Sequence, residues 1–586
     1  MEYKACQNCK NEFTIEPEDL AFYEKIKVPP PTWCPQCRMI RRLAFHNLVS
    51  LYRRKCDLCG KDIVSMYSAD KPYRVYCPPC WWSDGWNALS YGRDYNFSRP
   101  FFEQFSELWH EVPLLGLSLD LTATNESPYC NHAGNIRKCY FLFDANYSEE
   151  CLYGYYIVNS KNCVDSFFTG SCELTYDCLH AFKDYNARHM EWSISCSDSS
   201  FLLNSRNCQN CFASVNLWSK QNYIFNQPYT KEEYLEKVKK FDLGSFRSYE
   251  ELKAKFREHA LKYPVKTFWQ EFSQNVSGLL VFQSKNCHHC FEVVGGEDCK
   301  YCSFLQPTVK DCYDFSNWGD NAELIYEAGV VGGGARNVKF GEETGLGLYD
   351  ATYVKLATSS SDLFGCVSVL KRQYCILNKQ YSKDDYGKLV PRIIEQMNAM
   401  PYIDRQGRVY RYGEFFPPEL SPFAYNETRA HQFSPLAKEE ALAKGYKWKD
   451  NEPSQYKASI GARDLPDHIR DVKDSILEES IGCISCRRAF RLIPQELSFY
   501  RRMNVPIPRK CFLCRLDEEI KDHPKPYELW KRKCQCAGGS SDNGVYKNAA
   551  RHFHGGEHCP SEFETSFAPD RPEIVYCEQC YQAEVA

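Results

Sequence analysis

The chain lacks any run of about 20 consecutive apolar residues, so no segment is expected to span a membrane as a helix. It also lacks a charge surplus. Lys and Arg number 72 against 76 Asp and Glu, a net charge of -4, which argues against a globally basic nucleic-acid binder but not against a local basic patch. With 25% charged residues the composition is not that of a disordered chain. The opening "MEYKACQNCKNEF" has no apolar stretch of the signal-peptide kind. The expectation is therefore a cytoplasmic protein with no membrane partner. Familiar catalytic signatures are missing as well. There is no P-loop, H-E-x-x-H, G-x-S-x-G or dinucleotide fingerprint. The zinc-deaminase signature, H-x-E together with P-C-x-x-C, is also absent as a set. No catalytic residue is assigned.

Cysteine is what the chain has in plenty, 33 residues. In a reducing compartment these persist as metal ligands or as small buried hydrophobes; disulfides would require export. Four C-x2-C pairs open the chain: Cys6/Cys9, Cys34/Cys37, Cys56/Cys59 and Cys77/Cys80. A C-x2-C turn converges two sulfurs on one ion, and two such turns supply the tetrahedral sulfur set preferred by Zn2+. Sequential pairing gives one site from Cys6, Cys9, Cys34 and Cys37 and a second from Cys56, Cys59, Cys77 and Cys80. Crossed pairing and a rubredoxin-like iron site are the alternatives.

The first site recurs near the C-terminus. An offset of 477 carries Cys6, Cys9, Phe13, Pro17, Phe22, Tyr23, Val28, Pro29, Pro31, Cys34, Cys37 and Arg38 onto identical residues from Cys483 to Arg515 without a gap. This duplication predicts a third site from Cys483, Cys486, Cys511 and Cys514. The second half of the copy is looser. Cys534 and Cys536 form C-x-C, and the stretch before Cys577/Cys580 is more than twice as long as its counterpart in the N-terminal module. The fourth site is expected from Cys534, Cys536, Cys577 and Cys580. The extra loop carries His552, His554, His558 and Cys559, which read as another metal site, as substitute ligands for a distorted fourth site, or as a solvated loop. Units of about 35 residues bury too little surface to fold unaided, so about four structural Zn2+ ions are expected to hold them. "YKACQNCKNEFTIEPEDLAFYEKIKVPPPTWCPQCR" resembles the zinc-ribbon or treble-clef domains of bacterial proteins. "NCVDSFFTGSCELTYDC", "IFNQPYTKEEY" and "YGEFFPPELSPFAYNETRA" extend the likeness to uncharacterised Cys-rich proteins of candidate bacterial lineages. The resemblance implies the architecture and no activity.

Between the modules a short Cys unit repeats. Cys139, Cys151 and Cys163 stand 12 apart, as do Cys196 and Cys208, and Cys287, Cys299 and Cys312 stand 12 and 13 apart. Such a period predicts a parallel β-solenoid with Cys and Phe as interior ladders. The arrays end alike: Phe212, Val215, Ile224, Asn226, Tyr229, Lys231 and Tyr234 recur at an offset of 152. Thr230 and Ser382 then read as N-caps of helices. The spacing of Cys287, Cys290, Cys299 and Cys302 is ligand-like, but ladder positions explain it without metal. "GVVGGGARNVKFGEETGLG" is expected to supply solenoid turns, and "LPDHIRDVKDSILEE" an amphipathic helix.

The expected fold is multidomain and mainly β, with two tandem zinc-ribbon or treble-clef modules flanking a parallel β-solenoid with helical insertions. The expected segments are an N-terminal module at 1–95, a linker at 96–126, array 1 at 127–229 and a helical insertion at 230–273. Array 2 follows at 274–381, a helix and Pro/aromatic connector at 382–475 and the C-terminal module at 476–586. The leading expectation is a zinc-binding scaffold for an unknown protein partner. The alternative is an RNA- or DNA-binding protein. Arg38, Arg41 and Arg42 would lie near one helix face with His46 and contact nucleic acid together with Arg53, Arg54 and Lys55. Tyr52, Tyr73 and Trp81 would offer stacking surfaces. The C-terminal copy keeps Arg515 and the triplet Lys531, Arg532 and Lys533, but places Asp517 to Glu519 where the Arg pair stands. A third expectation is a polysaccharide-active β-helix enzyme using Asp165, Asp177 and Asp314, residues that also serve as ordinary turn formers.

Overall fold

The structure is a computed structural model. It describes residues 1–120, 122–267, 270–305, 309–316, 322, 325–329, 336–345, 347–450, 457–522 and 528–585. Two compact units divide the chain discontinuously. One combines Met1–Leu117, Phe268–Asp450 and Pro526–Glu528; the other combines Ser118–Thr267, Asn451–Lys525 and Leu529–Ala586. Each terminal cysteine module thus packs with the solenoid array that is not its sequence neighbour.

In the second unit, residues 124–228 form an 11-stranded sheet wound as a β-solenoid. Consecutive strands pair in parallel, each residue with its counterpart one repeat later, as in Leu152↔Val164, Cys163↔Thr175 and Tyr176↔Arg188. One repeat unit therefore makes one coil. Every third residue from Glu126 to Asn222 has φ near +50°, so each coil turns four corners. A side of three extended residues spans about 10 Å, which leaves room in the lumen for small and aliphatic side chains. The residue after each corner points inward. Cys130, Ala133, Ile136, Cys139, Leu142 and Ala145 begin a series that runs to Leu217 and forms one buried cluster without an aromatic ring. Phe and Tyr instead occupy outward positions that other elements cover. Phe143 stacks on Phe512 at 5.9 Å, Phe212 stacks on Phe241 at 4.5 Å, and Tyr249 packs on Phe201. The expectation of Phe ladders inside array 1 is thereby corrected: a lumen this narrow excludes them.

Lumen thiols behave as weak donors. Cys139, Cys151 and Cys163 each reach two carbonyls, one shortly before them in their own coil and one in the next coil, at 3.3–3.6 Å. The corners cost backbone strain for side chains other than Asn, Asp and Gly. Asn and Asp relieve it and also link adjacent coils. Asn186 donates to Asp198 at 2.8 Å, and Asn204 to Asn216 at 2.7 Å.

Array 2, in the first unit, follows the same rule, with some coils one residue longer, as in Gly296↔Val309 and Val338↔Ala351. Cys287, Cys290, Cys299 and Cys302 are buried in its lumen cluster beside Val293 and Phe315. Of the Gly-rich stretch, residues 330–335 and 346 lie outside the described residues; Arg336–Val338 and Gly341–Glu342 are strands that pair in parallel with Tyr349–Lys355.

Both arrays end in an antiparallel return, Gln227–Pro228 on Gln221–Ile224 and Lys379–Gln380 on Gln373–Ile376. Asn226 and Asn378 explain why this ending is shared. Each side-chain amide accepts from and donates to the backbone of one valine, Val215 or Val367, at 2.7–2.9 Å, and so imitates the next coil. Helices follow as predicted. Lys231–Val238 is capped by Thr230, whose hydroxyl accepts from the Glu233 N–H, and Lys383–Ala399 by Ser382, whose hydroxyl accepts from the Asp385 N–H. Residues 465–479 do not form the predicted amphipathic α-helix. They make two short 3-10 turns, Ile469–Asp471 and Asp474–Glu478, while Asp467 spends both carboxylate oxygens on Ser245 and Arg247. Within the Pro/aromatic connector, Tyr402–Ile403 and Val409–Tyr410 form an antiparallel hairpin. No described helix is long and apolar enough to cross a membrane.

One lumen position of array 1 carries a carboxyl group. Asp184 is buried and accepts from Ser193 Oγ at 2.5 Å and from the Cys196 N–H at 2.7 Å. Burial pushes it up to about 7, against an ordinary value of 3.8. A folded-state value above the unfolded one favours the native state at low pH, and the benefit is lost as pH rises through 7. The shift corresponds to about 4 kcal/mol between acid and pH 8. Asp184→Asn is therefore expected to raise the melting temperature at pH 8 and to leave it nearly unchanged at pH 4. Thermal unfolding at the two pH values checks this.

Candidate metal centres

Four sets of four cysteines bring their sulfurs within 4.8 Å of one another: Cys6, Cys9, Cys34, Cys37; Cys56, Cys59, Cys77, Cys80; Cys483, Cys486, Cys511, Cys514; and Cys534, Cys559, Cys577, Cys580. All are built on one plan. A short hairpin carries the first pair: Glu2–Ala5 with Glu12–Ile15, Tyr52–Lys55 with Asp62–Ser65, Ile481–Gly482 with Ala489–Phe490, and Trp530–Lys533 with Glu562–Thr565. The second pair sits at the start of a helix. Cys34 and Cys77 are N-caps, each followed by Pro at the first helical position, where no N–H is needed. The other two sets stand at the starts of helices Phe512–Asp522 and Glu578–Val585.

The turn between the first two cysteines has a fixed requirement. The carbonyl of the first cysteine accepts from the residue just after the second, which must take a left-handed conformation: Lys10 at φ 66°, Gly60 at 72° and Arg487 at 64°. The first cysteine's N–H donates to the carbonyl one position further on, Cys6 to Asn11, Cys56 to Lys61 and Cys483 to Arg488. Backbone N–H groups also reach sulfur across each site. Cys34 donates to Cys6, Cys77 to Cys56, Cys511 to Cys483 and Cys577 to Cys534, at 3.2–3.3 Å. Burial raises the Cys56 and Cys483 thiols, but backbone N–H groups, those of Cys59 and Cys77 and those of Cys486 and Cys511, outweigh it and bring these two to about 6 and about 7. In each of these two sites one cysteine is thus favoured as the thiolate, the form that binds metal, while burial raises its neighbours Cys77 and Cys511.

The geometry fits Zn2+. A Zn–S distance of about 2.3 Å puts the sulfurs of a tetrahedron about 3.8 Å apart. Cys9 and Cys34 are 3.8 Å apart, Cys59 and Cys77 3.9 Å, Cys486 and Cys511 3.7 Å, and Cys559 and Cys577 3.8 Å. A disulfide would require about 2.05 Å, and no described cysteine is in one. Pairing is sequential within each module, not crossed.

The fourth set departs from expectation. Cys559, from the His-rich loop, takes the place predicted for Cys536. The backbone gives the reason. Cys534 N–H donates to Ser561 O at 3.0 Å, and Ser561 follows Cys559 as Asn11, Lys61 and Arg488 follow Cys9, Cys59 and Cys486. Cys559 therefore completes the turn that those cysteines complete elsewhere. The turn has been split by an insertion, 535–558. The spacing to the second pair reveals this: Cys559 stands as far before Cys577 as Cys59 stands before Cys77.

Arg38, Arg41 and Arg42, the predicted nucleic-acid contacts on helix Pro35–Leu43, are buried. Arg38 donates to Asp314 at 2.8 Å. Arg41 donates to both oxygens of Glu327 at 2.7 and 2.8 Å and to Glu414 at 3.1 Å, and it stacks on Trp33. Arg42 donates to Ser316 at 3.1 Å and lies 3.5 Å from Asp314. The arginine face is the seam by which the N-terminal module docks on array 2. Phe22 and Tyr23 extend it over Tyr313 and Tyr326. The C-terminal copy docks alike on array 1. Arg515 donates to Asp165 at 2.9 Å, and Phe499 and Tyr500 pack on Tyr176. Both arginines also hold the carbonyl just before their helix, of Trp33 and of Lys510, at 2.7 Å. Asp314 and Asp165 are left-handed corner residues of their coils.

Of the remaining basic candidates, Arg54 donates to Asp57 at 2.9 Å, Lys55 pairs with Asp62 at 3.1 Å, and Arg53 lies exposed on the same strand. Tyr73 and Trp81 are buried and Tyr52 half-buried, its hydroxyl donating to Glu427. Asp177, the third candidate groove carboxylate, accepts from Lys253 at 2.9 Å and lies 3.0 Å from His189. All three acids thus engage basic side chains. The chain matches no protein-family model and no curated protein sequence.

Removing one partner of a buried ion pair strands the other charge, at a cost of about 3–5 kcal/mol. Arg38→Ala is therefore expected to destabilise the first unit by roughly that amount. Arg38→Met combined with Asp314→Asn, which suits the left-handed corner, is expected to cost distinctly less than the sum of the two single changes. Denaturant unfolding of the single and double variants measures the difference.

Proposed function

We propose that the chain is a non-catalytic scaffold of a reducing, cytoplasmic environment, in which four structural Zn2+ ions fix the terminal modules on a β-solenoid that presents surface to a protein partner. The observation that carries this reading is the fourfold recurrence of one sulfur tetrahedron with closed protein coordination. A site with four protein sulfurs leaves no position for water or substrate, so its metal serves folding. The docking seams support a structural role for the modules, because the arginines that could have met an external anion meet coil carboxylates. The candidate acids of a polysaccharide-active groove are likewise held by Arg38, Arg515 and Lys253. A nucleic-acid ligand would have to rely on the strand Tyr52–Lys55.

Native mass spectrometry of protein purified without reductant is expected to show at least four zinc ions per chain, with the module thiols unoxidised. Bound zinc absent and module cysteines paired as disulfides would overturn the reading. Titration with single-stranded RNA at low salt separates the alternative. The scaffold predicts no salt-dependent binding, whereas binding that weakens steeply with salt and is lost in Arg53→Glu with Lys55→Glu would favour the nucleic-acid reading.

A further inference from the structure

Cys536, displaced from the fourth sulfur set, is not stranded. It joins His552, His554 and Cys580 in a second group whose ligand atoms all lie within 4.8 Å of one another. Cys580 belongs to both groups. We propose that the insertion 535–558 holds a further Zn2+ ion through Cys536, His552, His554 and Cys580, with the Cys580 thiolate bridging it to the ion of Cys534, Cys559 and Cys577. This rests on the reading of the fourth set as a zinc site.

The histidines are arranged as ligands. His552 is buried. Its Nε2 lies 2.9 Å from Glu584 Oε1, and its Nδ1 has no hydrogen-bond partner among the described residues. The Glu584 side chain is itself fully buried and accepts from the N–H groups of Ala549 and Ala550 and from the Tyr546 hydroxyl, at 2.8–3.0 Å. Glu584 thus accepts a hydrogen bond from the His552 Nε2–H, which leaves the Nδ1 lone pair available to a metal. This is the carboxylate–histidine–metal relation. His554 is fixed the other way round. Its Nδ1 donates to Glu557 O at 2.7 Å, and its Nε2 lies 3.3 Å from Cys580 Sγ. With the Nδ1 proton spent on Glu557, the Nε2 lone pair faces Cys580 Sγ, as two ligands of one cation do. Cys536 Sγ accepts from Asn548 Nδ2 at 3.2 Å, as a thiolate does.

The fold of the insertion needs such a centre. Residues 535–561 contain no helix or strand, only the bridges Cys536↔Ser541 and Ser540↔Lys547. A segment this long with so little regular structure orders when something fixes its middle to the core. Charge also favours a second ion. Four thiolates around one Zn2+ leave two negative charges, whereas the five thiolates here are balanced by two dications to within one charge.

The test uses the full chain loaded with zinc and, separately, with 113Cd. Native mass spectrometry is expected to give five metal ions per chain, and four for His552→Ala combined with His554→Ala. In the 113Cd protein the Cys580 β-protons are expected to correlate with two cadmium signals, a readout that needs no variant. Four ions in the native chain, an unchanged count in the double variant, or a single cadmium partner for Cys580 would overturn the proposal. A chain that binds no metal would instead bring down the four-site reading on which it rests.

Discussion

Closed thiolate shells are the constraint on which the terminal modules depend. Each has a small hairpin-and-helix frame, and in the N-terminal module its apolar side chains, among them Tyr23, Trp33, Phe45 and Trp81, are buried in a cluster shared with the solenoid. The parts that look like a binding surface in the sequence, the arginine helix and the Phe22–Tyr23 pair, are used in docking. With zinc bound as proposed, the module is held from inside by metal; it is fixed from outside by solenoid carboxylates. Because Arg38 and Arg515 also hold the carbonyl before their own cysteine helix, docking and the metal site share a single side chain in each copy.

The solenoid solves a different problem with the same amino acid. A coil this short, folded at four corners, has a narrow lumen, and in array 1 Cys, Ala and Ser fill it together with Ile, Leu and Met, without a buried aromatic ring. Cysteine therefore carries two unrelated roles in one chain. In the modules, four sulfurs converge on one point and a backbone N–H reaches one of them across each site. In the lumen, thiols such as Cys139 and Cys151 donate singly to carbonyls of their own and the next coil, and burial raises Cys130. Small interior side chains also leave the outward aromatic residues to make the packing contacts, which is why helices and modules lie over the coils.

Much of this was legible. Twelve identities at one offset, and cysteines 12 apart, lead directly to repeated metal modules on a solenoid. Other signals were present but weaker. All cysteines from Cys130 to Cys211 are separated by multiples of three, which states the corner period outright. The spacing to Cys577 selects Cys559 over Cys536, yet the C-x-C at 534–536 sits where a C-x2-C is expected and masks it. The docking seam could not be read from sequence. Arg38 and Asp314 are 276 residues apart, and an arginine helix looks the same whether its partner is a phosphate or a distant carboxylate. The failed helix at 465–479 has a similar cause: its local pattern is helical, but Asp467 is committed to Ser245 and Arg247.

The central claim is tested most directly by X-ray absorption at the zinc edge on protein that has never met a chelator or reductant. The account predicts a first shell dominated by sulfur at about 2.3 Å. A shell of oxygen and nitrogen alone, or terminal sulfurs found about 2.05 Å from one another in place of metal, would contradict it.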